Sequence, residues 1–172
     1  MTPRLSLLKS CSGSAAVEFV LILPLLLVLV FTTLEGGQYL YLEHKVVKAV
    51  RNGSRYAARQ PFAKFTCPTT IDSTTATNIK RLVRTGYITG DNPNIAGTDN
   101  PVIGGWVDGD VTVTLTCDGA TTTGLYANTT GGAPRVKVNA VVRYPSLFLI
   151  LGFQSAANAK LQAMSQAAVT GL

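Results

Sequence analysis

Residues 12–34 read SGSAAVEFVLILPLLLVLVFTTL, and this stretch decides how the rest of the chain is organised. From Ala15 to Leu34 there are twenty residues, and Glu18 is the only ionisable one among them. A helix that rises about 1.5 Å per residue would carry them across roughly 30 Å, the thickness of a bilayer's hydrocarbon core. The stretch therefore predicts one transmembrane helix, residues 14–34.

The composition of the chain agrees with a membrane anchor attached to one modest domain. Of the 172 residues, 47% are hydrophobic and only 14% are charged, whereas about 25% charged residues is usual in soluble domains. The net charge is +6, but Lys and Arg are not grouped with aromatic residues in a nucleic-acid-binding motif. We therefore expect membrane lipid, and no nucleic acid, among the partners.

A second helical pattern follows the apolar stretch. Apolar or small residues recur three or four positions apart, which is the spacing of one helix face. They are Tyr39, Leu42, Val46, Val50, Gly53 and Ala57. Because Pro61 would end this helix, residues 35–60 are predicted to continue the membrane helix, with a bend or local melting at Pro24 and at Gly36-Gly37.

Five basic residues follow a neighbouring face of the same predicted helix and form the basic stripe. They are Lys45, Lys48, Arg51, Arg55 and Arg59, with spacings of 3, 3, 4 and 4. One interpretation is a solvated side of the helix. The other is contact with lipid phosphates or with an acidic partner, because the stripe comes just after the predicted span.

Residues 61–172 predict a small head domain that begins with helix and loop. A short helix is expected within 71–87, with Gly86 as its stop signal. Residues 89–110 are rich in Gly, Asn, Asp and Pro, which is typical of a loop.

The second part of the head domain reads as β-structure. VTVTLT (111–116) and RVKVNAVVRY (135–144) alternate in polarity and are rich in β-branched residues, so they are predicted to pair antiparallel. SLFLILGF (146–153) is interpreted as a buried strand or loop, and KLQAMSQAAV (160–169) as a strand in preference to an amphipathic helix. The predicted fold class is α+β, a long N-terminal helix followed by a small antiparallel-sheet head.

The three cysteines lie on both sides of the predicted span. Cys11 precedes it, whereas Cys67 and Cys117 follow it in polar sequence. The later pair predicts one disulfide in an oxidising compartment, with two free thiols as the alternative. Positive charges flank the span on both sides, so they do not fix its orientation, but a short cytoplasmic N-terminus agrees with the cysteine pair.

Few residues suggest catalytic or metal chemistry. His44 is the only histidine, and the sequence around it does not predict a metal cluster or a triad. Asp91, Asp99, Asp108 and Asp110 could offer oxygen ligands to Ca²⁺, but the twelve-residue calcium-loop pattern is missing, so we expect turn aspartates. We expect no metal, no cofactor and no enzymatic activity.

The position of Glu18 needs a separate explanation. A secretory signal peptide would place small residues at a cleavage site after its apolar core, and residues 32–36 (TTLEG) do not form such a site. If the chain is instead cut after Gly13, then Ser14 becomes the first residue and Glu18 the fifth.

This arrangement resembles type IV prepilins and, more closely, the TadE-like pseudopilins of tight-adherence (Flp) pilus systems. GSAAVEFVLILPLLLVLVF is similar to their N-terminal signature, including the pair Glu18-Phe19 and the helix proline Pro24. VVKAVRNGSRYAAR is similar to the family's Ala/Arg-rich continuation, so the likeness covers residues 13–59. This sequence departs from the type IV pilin pattern at Ser14, where many of those proteins carry an aromatic residue.

The resemblance implies a processed membrane protein. A prepilin peptidase would cut between Gly13 and Ser14 and remove the leader, residues 1–13. The mature chain would cross the bacterial inner membrane once, with a periplasmic head, and would assemble with other pilins or pseudopilins. Glu18 of one subunit would then meet the Ser14 α-amine of a neighbour inside an apolar filament core, where unpaired charges are expensive.

The sequence alone leaves three questions open, each with two possible answers. The chain is either processed or an uncleaved signal anchor whose Glu18 reaches the lipid headgroups. Its role is either pilus assembly or that of a bitopic membrane protein with an extracytoplasmic binding domain. A pseudopilin either enters the filament or only primes its assembly.

Overall fold

The computed structural model describes residues 12–88, 100–147 and 159–171. They form a long N-terminal helix followed by a smaller helix and antiparallel strands, so the predicted α+β class is confirmed. The chain divides into two compact units, Met1–Gln38 and Tyr39–Leu172. The second is called the head unit below.

Helix α1 (Ser12–Ala58) has 47 residues and would measure roughly 70 Å if straight. Pro24 lies inside it, and helical structure is unbroken there and at Gly36-Gly37. The local melting considered at these positions is therefore absent, because a proline removes only one helical hydrogen bond and the turns around it keep theirs. A bend stays a prediction. The helix ends three residues before Pro61, as expected.

The main sheet of the head unit consists of β3 (Val111–Asp118), β4 (Ala133–Arg143) and β5 (Lys160–Ala168), in the order β3-β4-β5. Both pairings are antiparallel, with Val111 opposite Ala140 and Arg135 opposite Ala168. The predicted antiparallel pairing of 111–116 with 135–144, now β3 and β4, is confirmed. The strand preferred for 160–169 is confirmed as β5. Most of the apolar segment 146–153 lies outside the described residues.

A small hairpin of β1 (Phe65–Thr66) and β2 (Thr70–Ile71) precedes α2 (Ser73–Thr85). The sequence did not predict the hairpin, because two-residue strands are too short to show an alternating pattern. Helix α2 lies within the predicted range and ends where expected, with Gly86 at φ +84° as its left-handed cap.

The N-terminus of α2 is capped by Asp72. Its Oδ2 accepts hydrogen bonds from the Thr75 backbone N–H (3.0 Å) and from the Thr75 hydroxyl (2.9 Å). These two bonds stabilise the carboxylate and lower the pKa of Asp72 below its ordinary value, and the nearby Lys64 ammonium makes a smaller contribution in the same direction. The ionised side chain thereby satisfies one of the N–H groups that a helix start leaves unpaired.

The hydrophobic core of the head unit lies where α1, α2 and the main sheet meet. The predicted face of α1 is buried, with Val46, Val50 and Ala57 fully inaccessible to solvent. Alternate residues of the strands supply the other side of this core, and Trp106 adds a large side chain from the segment that the sequence assigned to loop. The aromatic ring was not expected there, because Gly- and Asp-rich sequence carries no periodic burial signal.

Polar contacts fix the end of α1 to the C-terminal segment. The Ser54 and Ser165 hydroxyls lie 2.8 Å apart, and Thr170 donates its backbone N–H (2.7 Å) and hydroxyl (2.9 Å) to the Ala58 carbonyl. The sequence drew the head domain from residue 61, at the helix end, whereas the compact unit already begins at Tyr39. The second part of α1 is therefore a core element of the head unit.

The predicted disulfide is present. Cys67, in the turn of the small hairpin, is bonded to Cys117 in β3, across a sequence separation of 50 residues and a Cα–Cα distance of 5.9 Å. The bond joins the small hairpin to the main sheet. Cys11 lies outside the described residues.

The described aspartates of the calcium hypothesis have other roles. Asp108 accepts from Arg84 Nε at 2.8 Å, and Asp110 caps a turn by accepting from the Val107 backbone N–H at 3.1 Å. Asp91 and Asp99 lie outside the described residues. Over the ranges given above, no group of three His, Cys, Asp or Glu side chains is arranged to hold a metal ion.

Candidate functional site: the N-terminal helix

The first part of α1, up to Gln38, is an apolar surface without a protein covering. Thirteen large hydrophobic side chains between Val17 and Leu34 are exposed to between 41% and 73%. A helix that is apolar on all sides is stable only inside a protein core or a membrane. Length and composition make this helix a candidate to cross a membrane once.

The few polar groups of this surface are placed near its ends. The hydroxyls of Thr32 and Thr33 donate to the carbonyls of Val28 (2.7 Å) and Val30 (2.8 Å) within the same helix. These hydroxyls are thus compatible with lipid, because their donors are satisfied internally. Glu18 is exposed and lies one turn after Ser14, on the same side of the helix.

The predicted processing and assembly residues lie close together at the start of the helix. Gly13, Ser14, Glu18 and Phe19 are all helical and exposed, and a Cβ added to Gly13 would meet no atom within 4 Å. The fold therefore does not need a glycine at position 13. Gly36 and Gly37 are equally unobstructed.

Gly53 differs from these three glycines. A Cβ at this position would collide with the Val83 side chain of α2, so the glycine allows the two helices to approach closely. Sequence analysis placed Gly53 only on an apolar face. Its role depends on α2, a segment some thirty residues later, and no local signal announces such a contact.

The basic stripe lies on the second part of α1. Lys48, Arg51, Arg55 and Arg59 are exposed, and Lys45 is half-buried with its Nζ 4.6 Å from the centre of the Tyr41 ring. The structure thus brings the five predicted residues together on one surface of the head unit.

One concave feature of the head unit was not expected from the sequence. A groove of about 530 Å³ lies beside Cys67 and is lined by residues from two stretches of the chain, 62–67 and 125–134. Its lining includes Phe62, Phe65, Leu125, Asn128 and Pro134. No charged side chain lines it, and the described structure gives no indication of a ligand.

Comparison with known protein families gives a match on the N-terminal helix. Residues 13–55 match the family model described as TadE-like protein. No curated protein and no solved structure gave a significant match. The matched range, about a quarter of the chain, contains the apolar surface, Glu18 and most of the basic stripe. The resemblance to TadE-like proteins is thereby confirmed, and α1 of this chain is a TadE-like segment.

Proposed function

We propose that this chain is a pseudopilin that acts as a structural component of a tight-adherence pilus system. The TadE-like match suggests involvement in that system and favours a structural role over an enzymatic one. The observation that carries the proposal is the coincidence of the match with the uncovered apolar surface of α1. The helix anchors the chain in the bacterial inner membrane, the head unit lies in the periplasm, and the apolar surface packs against other pilins or pseudopilins.

Processing by a prepilin peptidase is the first step of the proposed function. The cut between Gly13 and Ser14 removes Arg4 and Lys9 with the leader, so the mature chain has 159 residues (172 − 13) and a net charge of +4 (6 − 2). The new α-amine has a pKa of about 8 and is mostly protonated at neutral pH. Support comes from Gly13, where an added Cβ would meet no atom of the described residues within 4 Å, so the described contacts do not explain a glycine at this position.

The second step is subunit association through Glu18. Within a bundle of apolar helices the carboxylate of one subunit pairs with the Ser14 α-amine of the next, because each charge would be unfavourable alone. Only one offset between neighbouring helices brings the two charges together. Glu18 therefore selects the register of the assembly.

Gly13→Leu tests processing. The bulky side chain should block the cut, and intact-mass measurement in a host with the peptidase should show the full-length chain. Gly37→Leu is the matched control, since it places the same side chain in equally open space on the same helix and should leave processing unchanged. An unprocessed wild-type chain in that host would contradict the proposal and favour the uncleaved signal anchor or the bitopic binding protein.

Glu18→Ala tests association. Removal of one partner of a buried charge pair costs about 3–5 kcal/mol, which lowers association by roughly 10²- to 10³-fold. We expect normal maturation on a gel together with loss of crosslinking to the system's other pilins. Glu18→Asp is the control that keeps the charge and should retain part of the association. Normal crosslinking of Glu18→Ala would mean that Glu18 only faces the headgroups.

A further inference from the structure

The basic stripe lies opposite the buried face of α1. At about 100° per residue, Arg51 and Arg55 point away from Val46 and Val50, which are fully buried in the core of the head unit. The stripe is therefore an outer surface of the head unit. Arg51 and Arg55 lie about one turn apart, roughly 6 Å along the helix axis, and Arg59 is exposed in the turn that directly follows α1.

The positive charge of this surface is not neutralised within the described residues. None of the five side chains forms an ion pair there, and successive members of the stripe stand three or four positions apart, where like charges repel. Arg55 lies in the last turn, where the helix dipole favours a cation, but the charges of the stripe gain nothing from one another. An exposed row of like charges without a counter-charge is a reason to look for a partner.

The described aspartates of the head unit are engaged elsewhere. Asp72 pairs with Lys64 at 3.4 Å, Asp108 with Arg84 at 2.8 Å and Asp118 with Arg135 at 3.1 Å. Helix α2 (STTATNIKRLVRT) contains no acidic residue, and α1 carries only Glu18, Glu35 and Glu43, at intervals of 17 and 8. Neither described helix of a second copy offers a row of carboxylates that matches the stripe.

We propose that the basic stripe is a docking surface for a helix of another, acidic protein that presents carboxylates four residues apart. An arginine guanidinium donates two parallel hydrogen bonds to a carboxylate. Two helices with the same four-residue spacing therefore align Arg51 and Arg55 with two acids in one register, and Arg59 adds a third cation just beyond the end of α1. This inference rests on the stripe itself and holds whether or not the chain is processed as a pseudopilin.

A lipid surface fits the stripe less well. Helices that lie on membranes insert an apolar face into the headgroup region, but the apolar face of this part of α1 is already buried by the main sheet and α2. Leu40 and Tyr41 are exposed at the start of this part, but the membrane would otherwise gain only the electrostatic attraction of the exposed cations. An acidic helix gains directed hydrogen bonds as well.

The test uses the full chain in neutral detergent micelles and two synthetic probes. One is an alanine-based helical peptide with glutamates at every fourth position, and the other carries glutamines at those positions. Binding is measured by fluorescence anisotropy at low and high salt. We expect the glutamate peptide to bind, the glutamine peptide not to bind, and the affinity to fall with salt because exposed charges are screened.

Two triple variants with the same change in charge show whether the site is specific. Arg51→Gln/Arg55→Gln/Arg59→Gln should weaken binding about tenfold, the sum expected of three exposed ion pairs. Lys137→Gln/Arg143→Gln/Lys160→Gln removes three exposed cations from the main sheet and should leave binding nearly unchanged. Equal losses in both variants would mean unspecific attraction to a positive chain and would overturn the proposal.

A membrane outcome is tested separately. The same variants are incubated with vesicles of zwitterionic lipid alone or with added anionic lipid, and co-flotation is measured. Stripe-dependent binding to the anionic vesicles, with no binding of the glutamate peptide, would replace the protein partner by a lipid surface. The thermal stability of the stripe variant should stay close to that of the wild type, since relief of the repulsion between like charges offsets the lost interaction of Arg55 with the helix dipole.

Discussion

Residues 13–38 and 39–58 belong to one continuous helix, yet they place their apolar side chains in opposite environments. In the first part, apolar residues occupy every side and all are wholly or partly exposed. In the second part most of them occupy one face, which is buried, although Leu40 and Tyr41 are exposed at its start. The opposite side carries the basic stripe. The difference teaches that the distribution of apolar residues around a helix decides its surroundings, while the backbone conformation stays the same.

The strongest test of the difference between the two parts of α1 is to place a carboxylate in each of them. Val50→Asp puts an unpaired carboxylate in the core, which costs several kcal/mol and should unfold the head unit. Val28→Asp should leave the head unit folded but impair insertion, by roughly 2.5–3.5 kcal/mol at a bilayer centre. Protease resistance reports on folding, and carbonate extraction reports on insertion. Similar phenotypes for the two variants would contradict the division.

Loss of the disulfide should affect only the head unit. Opening a loop with 50 residues of sequence separation removes about 4 kcal/mol of stability on the chain-entropy model. We expect Cys67→Ser and the double variant with Cys117→Ser to lower the melting temperature by similar amounts, with membrane extraction unchanged. Two alkylatable thiols in the exported wild-type protein would show instead that the bond does not form in the cell.

One glycine from each part of α1, Gly53 and Gly37, tests the same difference with a smaller expected effect. In Gly53→Ala the new methyl group meets Val83, and overpacking of about 1–3 kcal/mol should exceed the gain of about 1 kcal/mol in helix propensity. Gly37→Ala meets nothing and should not lower the melting temperature of the head unit. The measurement is thermal unfolding followed by circular dichroism in detergent, and equal melting temperatures would argue against a tight contact between α1 and α2.

The smallest expected effect concerns the cap of α2. Since the folded-state pKa of Asp72 is lowered, its contribution to stability is present above the unfolded pKa of about 3.9 and is lost as the pH falls through the folded value. Asp72→Ala should lower the melting temperature at neutral pH. Asp72→Asn keeps a capping oxygen and should lower it less, while the part of the acid sensitivity due to this group disappears. If the melting temperature of Asp72→Asn depended on pH as that of the wild type does, the Asp72 cap would not be a source of the acid sensitivity.

Several predictions from the sequence succeeded because they depend on local periodicity. The buried face of α1, the stop of α2 at Gly86 and the alternation in β3 and β4 each follow from residues close together in the chain. Glu18 and Gly13 drew attention because a charge and a glycine are unusual at the edge of an apolar stretch. The family match covers that stretch. The cut itself and the role of Glu18 stay predictions.

The sequence by itself determined the long helix, its apolar and amphipathic parts, the α+β class and the candidate cysteine pair, because each leaves a pattern in residue type and spacing. Only the tertiary structure decided that the head unit begins at Tyr39, that Gly53 faces Val83 and that Trp106 lies in the core. It also showed that the basic stripe has no acidic partner among the described residues. These facts depend on contacts between segments far apart in the chain, which short-range periodicity does not encode.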